Sequence, residues 1–150
     1  MGRAFTNIPI SPLEYKGRTL GLVALVVTQV LIGFVHVAFG FWLLIATQTA
    51  PFVDAAGASS SSDIYSIYTV IFGILTLLFA VPLWLRKRWG WVGTFALLVF
   101  VIVADSLTLL DMPGIPGIPK SAGFGEITYS ILVMIYLMKG HVRAKFGVGS

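Results

Sequence analysis

Four long stretches of the chain carry almost no charge, and this pattern limits the fold more than any other feature. They cover residues 19–46, 64–85, 89–110 and 123–140. A helix needs about 20 apolar residues to cross the hydrocarbon core of a bilayer, and each stretch reaches or approaches that length. Because a helix in lipid satisfies its backbone hydrogen bonds within one segment, we predict four membrane-spanning α-helices.

The composition agrees with lipid as the solvent. Hydrophobic residues make up 57% of the chain and charged residues 11%, whereas soluble domains average about 45–50% and about 25%. Cysteine is absent, which excludes disulfides, thiolate metal sites and iron–sulfur clusters built by this chain. The basic residues stand beside the apolar stretches rather than on a polar domain, so nucleic acid is not an expected partner.

With 150 residues the chain has room for one all-α domain. We predict a cytoplasmic N-terminal segment at residues 1–18, a four-helix transmembrane domain at residues 19–141 and a cytoplasmic tail at residues 142–150. The first apolar stretch is longer than the roughly 7–15 apolar residues of a signal peptide, and no small-residue cleavage motif follows it. It is therefore predicted to be retained as a helix.

A short interfacial helix is predicted just before the first span. Ser11 and Glu14 have the spacing of a capping box, and Pro12 stands at the first helical position. We expect this helix to run to about Gly17, where the chain enters the membrane.

The basic residues also predict the orientation, because Lys and Arg resist translocation and mark the cytoplasmic side. Nine lie in the N-terminal segment, in the turn after the second stretch and near the C-terminus: Arg3, Lys16, Arg18, Arg86, Lys87, Arg88, Lys139, Arg143 and Lys145. Lys120 alone lies on the opposite side. The prediction is an antiparallel bundle with both ends cytoplasmic, in the plasma membrane of a prokaryote.

Polar and small residues form rows on the first two spans. On the first, the row has spacings of 4, 3 and 4 residues: Gln29, Gly33, His36 and Gly40. On the second, small residues recur every seven positions: Ser66, Gly73 and Ala80. Because small residues let helices approach closely, we predict that both rows pack against protein.

Three ionisable residues, His36, Asp105 and Glu126, have similar predicted depth in the half of the membrane away from the basic turn. With Tyr129 and Gln29 they form a candidate intramembrane polar cluster that could relay a proton, coordinate a metal or hold a polar ligand. The alternative is that each is satisfied separately, for example His36 by a backbone carbonyl. We hypothesise that the three ionisable residues converge and share a proton, water or ligand.

Haem held by two histidines of this chain is not expected, because His36 lies within a span and His141 lies in the tail. The sequence specifies no other cofactor.

The sequence favours a non-enzymatic function, since no catalytic motif stands out and no soluble catalytic domain is left over; an enzyme that uses the polar cluster stays open as a third option. The prediction is a structural or accessory subunit of a larger membrane complex, with the bilayer and other membrane subunits as partners. One alternative is a small homo-oligomeric transporter or channel, although residues 92–101 and 131–137 are almost wholly apolar. Another is a redox- or metal-associated subunit that uses the polar cluster.

The layout of four spans, with the sequence Arg-Lys-Arg-Trp-Gly-Trp at residues 86–91 after the second, is similar to that of small prokaryotic membrane proteins of the DoxX-like type. The likeness covers no diagnostic motif, so it implies no particular activity.

Overall fold

A computed structural model of the protein describes residues 14–15, 18–46, 63–115 and 120–148. Over these residues the chain is nearly all helical. The helices are α1 (Leu20–Ala46), α2 (Asp63–Trp84), α3 (Arg88–Leu109), α4 (Lys120–Met138) and α5 (Gly140–Lys145). Two short strands, β1 (Glu14–Tyr15) and β2 (Arg18–Thr19), precede them. The helices α1 to α4 are each long and apolar enough to cross a membrane, as predicted.

The segment before α1 differs from the predicted interfacial helix. Glu14 pairs with Thr19 and Tyr15 pairs with Arg18, so β1 and β2 form an antiparallel hairpin. Two residues separate the strands in sequence and the second is a glycine, which suits a two-residue hairpin connection. Glu14 is therefore part of a β-hairpin and does not cap a helix. Ser11 and Pro12 lie outside the described residues.

α1 packs more extensively against α2 than against any other helix, and glycines permit the approach. A Cβ atom added to Gly73 would lie 2.8 Å from the carbonyl oxygen of Gly33. One added to Gly40 would lie 3.1 Å from the carbonyl oxygen of Ser66. The two rows of small residues thus face each other, and Ala80 continues the second row into the core.

The turn between α2 and α3 is closed by backbone hydrogen bonds. The N–H of Lys87 donates to the carbonyl of Pro82 at 2.8 Å, and the N–H of Arg86 donates to that of Leu83 at 3.1 Å. This Schellman motif needs a left-handed residue, which is Arg86 with φ 56°. α3 ends in the same way with Asp111, φ 54°. Both helices therefore stop within one residue of their predicted ends.

The largest buried cluster lies at the end of the bundle that carries the basic turn, Arg86 to Arg88. It combines side chains from all five helices and includes Val142 and Phe146, from α5 and the residue after it. The sequence predicts a tail over residues 142–150, and the structure instead has the α5 helix at its start. The sequence feature that indicates α5 is the spacing of Val142 and Phe146: two apolar residues four positions apart lie on one face of a helix. α5 thus closes this end of the bundle.

Candidate functional site

The candidate site lies between α1 and α4, the first and last spanning helices. Their backbones approach less closely than those of the consecutive pairs α1–α2, α2–α3 and α3–α4. Side chains therefore bridge the space between them, which we call the α1–α4 seam. At the basic-turn end the bridge is Tyr136, whose hydroxyl lies 3.5 Å from Oγ1 of Thr19. Toward the other end it is His36 and Glu126.

His36 is oriented by its own helix and by α2. Its Nδ1 lies 2.8 Å from the carbonyl oxygen of Ile32, one turn earlier in α1. A carbonyl oxygen only accepts hydrogen bonds, so Nδ1 carries a hydrogen and donates it. Phe72 contacts the imidazole edge-on, with 4.9 Å between ring centroids. The second ring nitrogen, Nε2, is thereby turned toward α4.

Glu126 supplies the partner from α4. Its Oε1 lies 3.5 Å from Nε2 of His36. The Glu126 side chain is 26% exposed and the His36 side chain is 18% exposed. The distance between Oε1 and Nε2 exceeds the usual 2.7–3.2 Å of a direct hydrogen bond, so the contact is chiefly electrostatic. With Nδ1 committed to Ile32, the contact is attractive only when one proton lies between Nε2 and the carboxyl group, on either partner. An attractive contact therefore requires the two side chains to share one proton between them.

Asp105 stands beside this pair on α3, with its side chain 0% exposed. It lies within electrostatic range of Glu126 and of His36. A Cβ atom on Gly123 would lie 3.5 Å from its Cβ, so α4 packs directly against it. Within the described ranges no group hydrogen-bonds to either carboxyl oxygen of Asp105. The structure thus brings His36 and Glu126 into contact and leaves Asp105 near them without a direct bond. Sharing of a proton, water or ligand by all three stays a prediction.

Two cavities of about 230 Å³ each open along the seam. His36 and Glu126 line one of them, and Tyr136 and Gly21 line the other. Tyr129 lines both, so this predicted cluster member lies midway along the seam. The seam can hold small groups beside the polar pair.

Gln29 lies apart from this pair, about two helical turns from His36. It is buried, and its Nε2 donates to Oγ1 of Thr94 in α3 at 3.2 Å. Sequence reasoning did not single out Thr94. A threonine in a spanning helix is a weak signal because its hydroxyl can bond to its own helix, as those of Thr69 and Thr76 do. Gln29 therefore joins helices rather than extending the seam site.

A metal centre finds no support in the described part of the chain, where no three His, Cys, Asp or Glu side chains are arranged to hold an ion. What the seam offers chemically is one partly exposed pair of ionisable side chains, His36 and Glu126.

The fold and composition define a multi-pass helical membrane protein. No family model, curated protein or solved structure matches the chain.

Proposed function

We propose that this chain is a non-catalytic accessory subunit of a larger membrane protein complex, and that a partner helix covers the α1–α4 seam. The observation that carries the proposal is the partial exposure of the His36–Glu126 pair within two spanning helices. Ionisable side chains in spanning helices normally face protein or a water-filled cavity, because exposure to hydrocarbon is costly. A partner helix over the seam would remove the pair from lipid.

The surface beside the pair suits an approaching helix. Ser121, Gly125 and Thr128 are exposed on α4 around Glu126. A Cβ atom on Gly125 would meet no described atom within 4 Å, so packing within the chain does not require a glycine there. Small residues on a membrane helix allow a second helix to come close. This surface therefore supports a contact with another subunit.

The proposed topology is an antiparallel bundle with both chain ends in the cytoplasm of a prokaryotic cell. Nine of the ten Lys and Arg residues on the proposed cytoplasmic side support this orientation. The glycine contacts support opposed directions for α1 and α2, since Gly33 lies against Gly73 whereas Gly40 lies against Ser66.

A second copy of the chain could cover the same seam, and the resulting homo-oligomer would suit a small transporter or channel. The halves of α3 and α4 nearest the basic turn do not favour this alternative. Residues 92–101 and 131–137 are almost all apolar, which disfavours a continuous aqueous path. We therefore prefer a different subunit as the occupant of the seam.

The test is purification of the tagged chain from its native membrane in mild detergent, followed by native mass spectrometry. We expect a particle that contains at least one further polypeptide, and a clear loss of that polypeptide in Glu126→Gln. Asp111→Asn is the matched control, since Asp111 is also an acid in an ion pair, 2.7 Å from Lys120, but is exposed at a helix end.

Two results would contradict the proposal. One is a monodisperse particle that contains this chain alone, whether monomer or oligomer. The other is an equal recovery of the additional polypeptide from Glu126→Gln and Asp111→Asn.

A further inference from the structure

A larger cavity lies between a different pair of helices, α2 and α3. Its volume is about 650 Å³ and its lining is almost entirely apolar. On α2 the lining residues recur every three or four positions from Ile64 to Phe79, which spans ~22 Å along the helix. This length exceeds half of the ~30 Å hydrocarbon core, so the groove can take an extended hydrocarbon chain from one leaflet. We call it the α2–α3 groove.

Glycine and aromatic rings shape the end of the groove nearest the basic turn. A Cβ atom on Gly93 would collide with the ring of Phe79, so only glycine lets that ring lie over α3. Phe79 in turn meets Trp89 edge-on, with 6.3 Å between ring centroids. Tryptophan is enriched where the membrane meets water, which places this end of the groove at the interface.

The basic turn adjoins Trp89. Lys87 and Arg88 are exposed, and neither belongs to the two ion pairs found among the described side chains. A cation at the membrane surface strengthens binding to anionic lipid roughly fivefold. The apolar groove therefore leads to two cations with no described acidic partner.

We propose that the α2–α3 groove and the basic turn together bind an anionic phospholipid. One acyl chain lies in the groove, and the headgroup phosphate contacts Lys87 and Arg88. Charge complementarity at the turn favours this occupant. An apolar partner helix would bury the groove walls but leave both cations unmatched, and the positive headgroup of a zwitterionic lipid would offset its phosphate. This site uses other helices than the α1–α4 seam, although Phe72 lines a cavity at each of them.

The test uses the full chain in nanodiscs of equimolar phosphatidylglycerol and phosphatidylcholine, with native mass spectrometry of the lipids that stay bound. We expect wild type to retain phosphatidylglycerol preferentially. Lys87→Gln combined with Arg88→Gln should lower this preference about 25-fold, from fivefold for each cation. Ala96→Phe should reduce retention of both lipids, because Ala96 is exposed in the groove and a ring there blocks it.

Matched controls separate these effects from net charge and bulk. Lys139→Gln with Lys145→Gln also removes two positive charges, and Ala38→Phe adds the same ring at an exposed position of α1. Neither control should change retention. The proposal is overturned if either test variant behaves as its control does. It is equally overturned if wild type retains phosphatidylcholine to the same extent as phosphatidylglycerol. It is also overturned if Ala96→Phe releases another polypeptide while lipid retention is unchanged, since the groove would then bind a partner helix.

Discussion

Gly33 and Gly73 lie backbone to backbone where α1 meets α2. A methyl group on Gly73 would lie 2.8 Å from the carbonyl oxygen of Gly33 and 2.8 Å from the backbone nitrogen of Val37. Both obstacles are backbone atoms, so no side-chain rotation could relieve the overlap. In a bilayer, where lipid tails are as apolar as the helices, such close packing is a principal source of helix association.

Gly73→Ala should therefore destabilise the protein by about 1–3 kcal/mol, because the two helices must move apart. The control is Gly125→Ala, whose new methyl meets no described atom within 4 Å. Alanine gains about 0.8–1.0 kcal/mol over glycine in a helix, so that variant should be neutral or more stable. Thermal unfolding of both in detergent checks this. Equal stability of the two variants would be incompatible with the α1–α2 interface described above.

Thr94→Val should lower stability by about 1 kcal/mol, because it leaves the buried Nε2 of Gln29 without the hydroxyl to which it donates. Thr128→Val is the matched control: its hydroxyl is exposed and donates to Phe124 of the same helix at 2.8 Å. We expect a smaller change there in the same unfolding assay. If Thr94→Val loses no more stability than the control, the hydrogen bond between Gln29 and Thr94 contributes nothing to the stability of the fold.

The His36–Glu126 contact should appear as a coupling between α1 and α4. A double-mutant cycle of His36→Gln and Glu126→Gln should give a coupling energy of about 0.5–1.5 kcal/mol, the range of interhelical polar contacts in membranes. The same cycle on Asp111 and Lys120 should give less than about 0.5 kcal/mol, because that pair is exposed and solvent-screened. If the two substitutions change the free energy of unfolding additively, His36 and Glu126 do not interact.

The topology is open to single-cysteine labelling, since the natural chain has no cysteine. Cysteine introduced at Gly57 or Gly117, both outside the described residues, should react with an impermeant maleimide added to intact cells. Cysteine at Lys87 should react only after the membrane is opened. The reversed pattern would show that the bundle has the opposite orientation in the membrane. Labelling of all three positions in intact cells would show that the basic turn and the two loops do not lie on opposite sides.

The number of spans and their approximate ends could be predicted from the sequence, because the thickness of the hydrocarbon core fixes how many apolar residues a crossing helix needs. Helical periodicity likewise placed Gly33 and Gly40 on one face of α1 and Ser66 and Gly73 on one face of α2. The structure shows these faces in contact. Depth can also be counted from sequence, at about 1.5 Å per residue, which is why His36, Asp105 and Glu126 were expected at similar heights.

Tertiary structure alone decided which of these groups touch. Only in the folded bundle does Nε2 of His36 meet Glu126 rather than Asp105, and only there does Gln29 find Thr94. The α5 helix was likewise settled by packing of Val142 against the other helices, whereas the hairpin at Glu14 arises from local pairing of β1 with β2. The physical reason is that helix length and depth follow from the membrane and from the local backbone. The rotation of each helix about its axis, and hence its polar partners, depends on how all the helices pack at once.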